Sequence, residues 1–316
     1  MKSIYCQPVA ARKARTQAMS STERPPSLDP LAADRWAVLP LRASPWLHEE
    51  IAKRMLERLD FIRLQPQTWA HWEPLRGGLA GHQALLQRYP KAPVWLVAAH
   101  AEEAQAVQAC TRSPWWRLAR WTGPAVQQGM PPAGSVQMLW ANMLLHHAPD
   151  PQALIADWHR ALAVDGFLMF SCFGPDTLRE LRRVYAQKGW PEPAHEFTDM
   201  HDWGDMLVHA GFAEPVMDME RITLSYETPE RLLAELRELG RNLHVQRFAG
   251  LRGRRWRAEL LQALQALARP DEQGRLCLTF EVVYGHALKP VPRYKVQSES
   301  QIGLQDMRQM LRAGRS

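Results

Sequence analysis

An α/β fold on a mostly parallel sheet is what this sequence predicts, and three observations predict it. Residues 135–183 read as strand, loop, helix, strand, loop, helix, the repeat of parallel strands joined by right-handed crossovers. Residues 68–98 carry a shorter version of the same pattern, with glycines in the loop. Two amphipathic helices between Glu230 and Leu267 then separate the last two strands, and such an insertion can only pack over an end or an edge of the sheet. A Rossmann-like sheet with a helical lid inserted before its last strand follows. The 316 residues, 46% hydrophobic, suffice for one large core or a core with a small subdomain.

Taken in order, Met1 to Pro30 is basic early (Lys2, Arg12, Lys13, Arg15) and rich in Ser, Thr and Pro, so a disordered tail is expected. A transit peptide, or translation from Met19, are the other readings of that stretch. Residues 31–66 are expected to form an N-terminal helical segment. From Ser44-Pro45 onward Leu47, Ile51, Met55, Leu59 and Ile62 recur at three- and four-residue steps, until Pro66 ends the run. The α/β core is expected over 67–226. Thr68 to Trp72 is its first strand, Arg76 to Gly81 the loop, Leu79 to Tyr89 the helix and Val94 to Ala98 the second strand.

The apolar run Val136 to Trp140 is too short for a helix and suits a buried strand. Asp150-Pro151 then supplies an N-cap and a proline at the first helical position, and Leu154, Ile155, Trp158 and Leu162 share one face. Asp165-Gly166 should stop that helix before a strand from Phe167 to Cys172. Gly174-Pro175-Asp176 opens another helix, with Leu178, Leu181 and Tyr185 inward. A helix from Phe197 to Phe212 and an extended run from Val216 to Tyr226 complete this part. Residues 227–275 form the lid, 276–290 the last strand of the core, and 291–316 a flexible basic tail.

In open parallel sheets ligands bind beyond the carboxyl ends of the strands, here Asn142 to His147 and Phe173 to Thr177. These stretches, LWANMLLHHAPDP and LMFSCFGPDTLRELR, resemble the post-strand motifs of class I S-adenosylmethionine (SAM) methyltransferases. GPDTLRELR in particular resembles the malonyl-acyl-carrier-protein O-methyltransferases of biotin biosynthesis. FTDMHDWGDMLVHAGFAEPVMDME (Phe197 to Glu220) and FEVVYGHALKP (Phe280 to Pro290) extend the likeness, which covers roughly residues 135–290.

The resemblance implies a class I methyltransferase-like fold, SAM as cofactor and a carrier-bound malonyl thioester as methyl acceptor. It places Trp72, Glu73, Gly77, Gly78 and Gly81 along the cofactor, and Asn142, Met143 and Leu144 against its methionine part. The loop after the first strand must let the backbone approach the cofactor and aim N–H groups at its carboxylate. Here it reads EPLRGGLAGHQ, three glycines at altered spacing behind a bulky Glu73-Pro74-Leu75-Arg76. Ala98-Ala99 stand where the family carries the ribose-binding acid, with Glu102 and Glu103 beyond it. The adenine-binding acid is missing from Arg117 to Gln128, and the acid that opens the fourth strand is replaced around Gln137. The family's tyrosine motif falls in DRWAVLPLRASPW, which has no tyrosine. Weakened SAM binding is the expectation.

Methyl transfer to a malonyl carboxylate needs no base, because the acceptor is already ionised and the sulfonium methyl already activated. Positioning and desolvation carry the rate. A cation or donor must orient the carboxylate, and His146, Arg179, Tyr284 and His286 are the candidates. A metal is not expected: His146-His147 offers too few ligands, and Cys6, Cys110, Cys172 and Cys277 are scattered without a CxxC pair. That cysteine usage fits a reducing cytoplasm. The net charge of +6 suits an anionic partner, and Arg237, Arg241, Arg247, Arg252, Arg254, Arg255 and Arg257 concentrate it in the lid. A solvated face and a docking surface for acyl carrier protein are both open for this cluster. Base-stacking aromatic motifs are absent, which argues against nucleic acid, and no apolar run is long enough to span a membrane. Two functional readings stand: a SAM-dependent O-methyltransferase, and a degenerate methyltransferase fold acting as a non-catalytic binding or assembly factor.

Overall fold

The computed structural model describes residues 27–41, 43–111, 124–269 and 272–292. Among the described residues eight strands form one sheet: β1 (Trp69–Trp72), β2 (Val94–Val97), β3 (Val126–Gln128), β4 (Val136–Ala141), β5 (Leu162–Phe173), β6 (Ala213–Tyr226), β7 (Ala268–Arg269) and β8 (Arg275–Leu288). Their order is β3-β2-β1-β4-β5-β8-β6, with the two-residue β7 added to β8. The first five strands are parallel, and β8 runs antiparallel between β5 and β6. The chain order reverses between β1 and β4, so a ligand crevice is expected where their carboxyl ends part.

Ten helices accompany the sheet among the described residues: α1 (Pro30–Ala37), α2 (Trp46–Arg58), α3 (Pro74–Gly77), α4 (Leu79–Arg88), α5 (Ala101–Thr111), α6 (Pro151–Ala161), α7 (Arg179–Gln187), α8 (Met200–His209), α9 (Pro229–Leu239) and α10 (Arg254–Leu264). Helices cover both faces of the sheet, so its strands read as near-continuous apolar runs with alternate residues going to opposite layers. Met138 and Trp140 of β4 join Ile51, Met55 and Trp69 in one layer. Leu139 and Ala141 join Ile155, Trp158, Phe170 and Trp203 in the other. The expected Asp150 cap forms, its Oδ1 accepting the Ala153 N–H at 2.9 Å, and Asp199 Oδ1 likewise accepts the His201 N–H at 2.8 Å.

Four differences from the sequence reading have local causes. Asp165-Gly166 does not stop a helix, because β5 already begins at Leu162 and Asp165, at φ 61°, sits inside that strand where its register with β4 shifts. The loop after β1 coils into the one-turn α3 before α4 begins. The expected GPD-led helix starts only at Arg179, since Thr177 and Leu178 are tied to β8. Ser27 and Leu28, expected in the tail, are buried at 5% exposure against the segment that follows α9. The remaining tail residues before Ser27, those after Pro292, and most of the stretch expected to carry the adenine-binding acid lie outside the described residues.

Candidate functional site

The crevice between β1 and β4 is built by two loops that touch. Asn142, 1% exposed, donates from Nδ2 to the carbonyl oxygens of His48 (2.8 Å) and Gly77, and its Oδ1 accepts from Ser171 Oγ at 2.5 Å. A Cβ added to Gly77 would lie 2.9 Å from Asn142 O, so only glycine permits this approach. The other glycines of the loop serve helix packing. Gly78, at φ 122°, lies against Glu49 of α2, and a Cβ on Gly81 would come within 2.8 Å of Ala52 Cβ.

The N-terminal amides of α4 are the groups expected to receive a cofactor carboxylate, since such amides point outward and carry partial positive charge. Glu49 occupies them: its carboxylate accepts the Ala80 N–H at 3.1 Å and the Gly81 N–H at 3.3 Å. Ser44 Oγ accepts the Leu79 N–H at 2.9 Å. Towards the end of β2, Glu73 accepts the Ala99 N–H, and Arg76 reaches Glu73 and Glu103 at 3.8 and 3.9 Å. Burial, then the neighbouring Glu103 charge, push the Glu73 carboxyl up to about 7. Arg76, 6% exposed, donates to Ala37 O (2.9 Å) and Leu39 O (2.8 Å) and stacks under the Trp36 ring at 4.5 Å. In this arrangement Glu49 fills the carboxylate position and Arg76 the ribose position that SAM would need, so the groups present there do not fit SAM.

A cavity of about 530 Å³ opens on the other side of the same loops, between α7, residues 191–197 and the lid. The GPDT turn fixes its α7 wall: Thr177 Oγ1 donates to Glu281 O at 3.0 Å, and Glu180 accepts from Thr279 N (2.9 Å) and Thr279 Oγ1 (2.6 Å) of β8. Phe173, Leu181 and Phe280 make the cavity apolar near the strand ends, with His147 and His195 beside them. Arg237, Arg241, Arg247, Arg252 and Arg257 line the lid side. Of these, Arg247 pairs with Asp29 at 2.6 Å and Arg252 stacks on Phe248 and Trp256. Arg237 and Arg257 have no acidic partner among the described residues. Burial drives His147 well below the ordinary imidazole range and His195 down to about 4, so both are neutral. His195 Nε2–H donates to His146 O at 2.8 Å, which leaves its Nδ1 as an acceptor.

The structure disperses the expected acceptor-orienting residues. His146, 4% exposed, accepts the Phe173 N–H through Nδ1 at 3.3 Å behind the cavity wall. Arg179 turns to Asp176 and Glu180, at 3.7 and 3.1 Å. Tyr284 bonds Glu220 and stacks under Arg58, while His286 packs against Phe167. Both fall short of the site because β8 is antiparallel: Tyr284 pairs with Ser171 and His286 with Met169, each step further below the carboxyl edge. Trp72 goes to the opposite layer, against Trp158, and Met143 is buried at φ 54° beside the half-buried Leu144. Arg254 and Arg255 are exposed outside the cavity. The sequence reading missed His195 and the Glu49 and Arg76 contacts. His195 lies in a proline-bounded loop without periodicity, and no local pattern marks it.

No family model matches the chain. A malonyl-[acyl-carrier protein] O-methyltransferase of Gallionella capsiferriformans is 41% identical over 262 residues, covering 79% of this chain and 87% of the relative. The protein of the same name from Laribacter hongkongensis is 39% identical over 259 residues, 78% of this chain and 84% of the relative. Among solved structures, a Bacillus halodurans protein described as a methyltransferase aligns over 76% of this chain and 100% of its own, with a TM-score of 0.51 and 15% identity, a likeness of fold.

Proposed function

The chain belongs to the malonyl-[acyl-carrier protein] O-methyltransferase family, and from that premise we propose that the cavity under its lid receives the acyl arm of a carrier-bound malonyl thioester for methylation of the free carboxylate. In this family SAM supplies the methyl group, and the fold is that of the SAM-dependent methyltransferases. The observation that carries the acceptor assignment is the cavity itself, apolar at the strand ends and lined by five arginines on the lid side.

Each wall has a part in that reading. Phe173 and Phe280 exclude water around the acyl chain, and desolvation raises the reactivity of a carboxylate oxygen. Arg237 and Arg257, cavity-lining arginines without an acidic partner among the described residues, are the groups to clamp a carboxylate or phosphate. Neutral His147 and His195 add polar contacts without a second fixed charge, and His146 positions His195 through its carbonyl. Outside the cavity, exposed Arg254 and Arg255 are placed to attract an acidic carrier protein.

A second reading is favoured by the Glu49 and Arg76 contacts in the cofactor crevice: a carrier-binding protein that does not turn over. Incubating the full chain with methyl-labelled SAM and malonyl-acyl carrier protein separates the two. Labelled ester supports the enzyme. Carrier binding without label supports the second reading, and neither binding nor label overturns the acceptor assignment.

A further inference from the structure

We propose that residues 27–41 and 43–49 are an internal occupant of the cofactor crevice, latched to the lid so that crevice and lid open together. The inference rests on the methyltransferase reading of that crevice, and it assigns the reading a gate.

The occupant stands where the carboxylate and the ribose of a SAM-type ligand would. A carboxylate on the α4 amides comes from Glu49, with Ser44 on the adjacent N–H. The space beside the end of β2, where a ribose would sit, holds the Arg76 guanidinium between Glu73 and Glu103. An aromatic plane over that group is supplied by Trp36. The Ala37 and Leu39 carbonyls tie Arg76 to the segment between α1 and α2. A ligand must displace all of these at once, since Arg76 cannot leave without uncovering two buried carboxylates.

The same segment fastens the lid. Asp29 N–H donates to Leu243 O at 2.8 Å and Val245 N–H to Ser27 O at 2.9 Å, a short antiparallel join. Asp29 Oδ2 pairs with Arg247 at 2.6 Å, and Leu28, Ala32, Ala33 and Leu243 form a small separate apolar cluster. Trp36 closes the circuit: its ring lies 4.1 Å from that of His147, and His147 Nε2 lies 3.1 Å from where a Cβ on Gly240 would be, at the C-cap of α9. Contacts therefore run without a gap from the Arg76 guanidinium, through Trp36 and His147, to the end of α9. Arg247 also lines the acceptor cavity, so an anion bound there competes with Asp29 for it.

The test is calorimetric titration of S-adenosylhomocysteine into the full chain without acceptor, alongside hydrogen exchange of residues 27–39 and 240–247. The unaltered protein should bind at about millimolar strength or weaker. Glu49→Ala, which frees the α4 amides, and Trp36→Ala, which unstacks Arg76, should each tighten binding about tenfold. Asp29→Asn keeps the α1 cap but loses the ion pair, and should raise exchange about threefold in both segments together. Micromolar binding by the unaltered chain, with no gain in either variant, overturns the internal occupant. Exchange that rises in 27–39 but not in 240–247 overturns the latch. Tighter S-adenosylhomocysteine binding in the variants without malonyl ester formation leaves the gate standing and removes the acceptor assignment, so the two failures are distinguishable.

Discussion

The walls after β1 and after β5 border the same loops, yet they use their polar groups in opposite ways. After β5, Thr177 and Glu180 spend their hydrogen bonds on β8, outside the site, and so fix α7 as one wall of an open cavity. After β1, Glu49, Asn142 and Arg76 direct theirs across the crevice and hold it shut. Both walls are tied by hydrogen bonds, but only one directs these ties away from the site. Membership in a family carries the fold, whereas openness to a ligand depends on which way a handful of side chains point.

The largest expected effect tests the seam between the two walls. His48, His71, His82, His146, His147 and His195 are all buried, and burial lowers each of their pKa values. A depressed imidazole pKa means that the unfolded chain holds more protons, so this stability is full above about 6.5 and is lost as pH falls towards 4. For His48, His82 and His195, going from 6.5 to about 4 is worth roughly 3 kcal/mol each. Cooperative acid unfolding near pH 5, followed by far-UV circular dichroism, is the expected result. A flat stability profile from pH 7 to 4 would mean that water reaches the seam.

The next effect is confined to the closed wall. Asn142→Asp replaces the Nδ2 donor with an acceptor facing two carbonyl oxygens, and should cost about 3–5 kcal/mol in urea unfolding at pH 7. A cost below about 1 kcal/mol would show that the two loops separate easily, and the contrast between the walls would lose its basis.

Glu73 gives a smaller effect of opposite sign to the histidines. Its raised pKa means that the folded chain holds the extra proton, so its contribution is full below 4.5 and is lost as pH rises through about 7. Glu73→Gln should be more stable than the unaltered chain at pH 8, by at most about 3 kcal/mol, with the difference shrinking by pH 5. An equal difference at both pH values would show that the carboxylate stays charged beside Arg76.

The open wall was far more legible in sequence than the closed one. β4, α6 and β5 declare themselves through contiguous apolar runs and an Asp-Pro cap, signals carried within a dozen residues. The altered glycine spacing pointed to the right place after β1, but not to its cause. Gly78 and Gly81 are glycines because α2 packs on them, and α2 lies some thirty residues away in sequence. Asp29-Pro30 repeats the Asp150-Pro151 signal and caps α1 in the same way, so that helix was within reach of the same rule. Arg76 carried no such mark. An arginine in a glycine loop reads as a solvated charge until Trp36 and two backbone carbonyls are seen around it.

The smallest expected effect sharpens the contrast within the lid itself. Arg254 and Arg255 are exposed and reach no cavity atom, so reversing both to Glu should act on encounter with the acidic carrier. The association rate should fall about tenfold at low ionic strength, with the dissociation rate unchanged. The gap should close near 1 M salt, where the screening length shrinks to roughly 3 Å. Arg237→Gln and Arg257→Gln remove groups inside the cavity and should do the reverse, speeding dissociation and leaving the salt dependence of association alone. Stopped-flow binding of malonyl-acyl carrier protein at two salt concentrations separates these behaviours. If both pairs alter only dissociation, carrier recognition lies wholly inside the cavity and the outer lid is a solvated face. If neither alters anything, the carrier docks elsewhere.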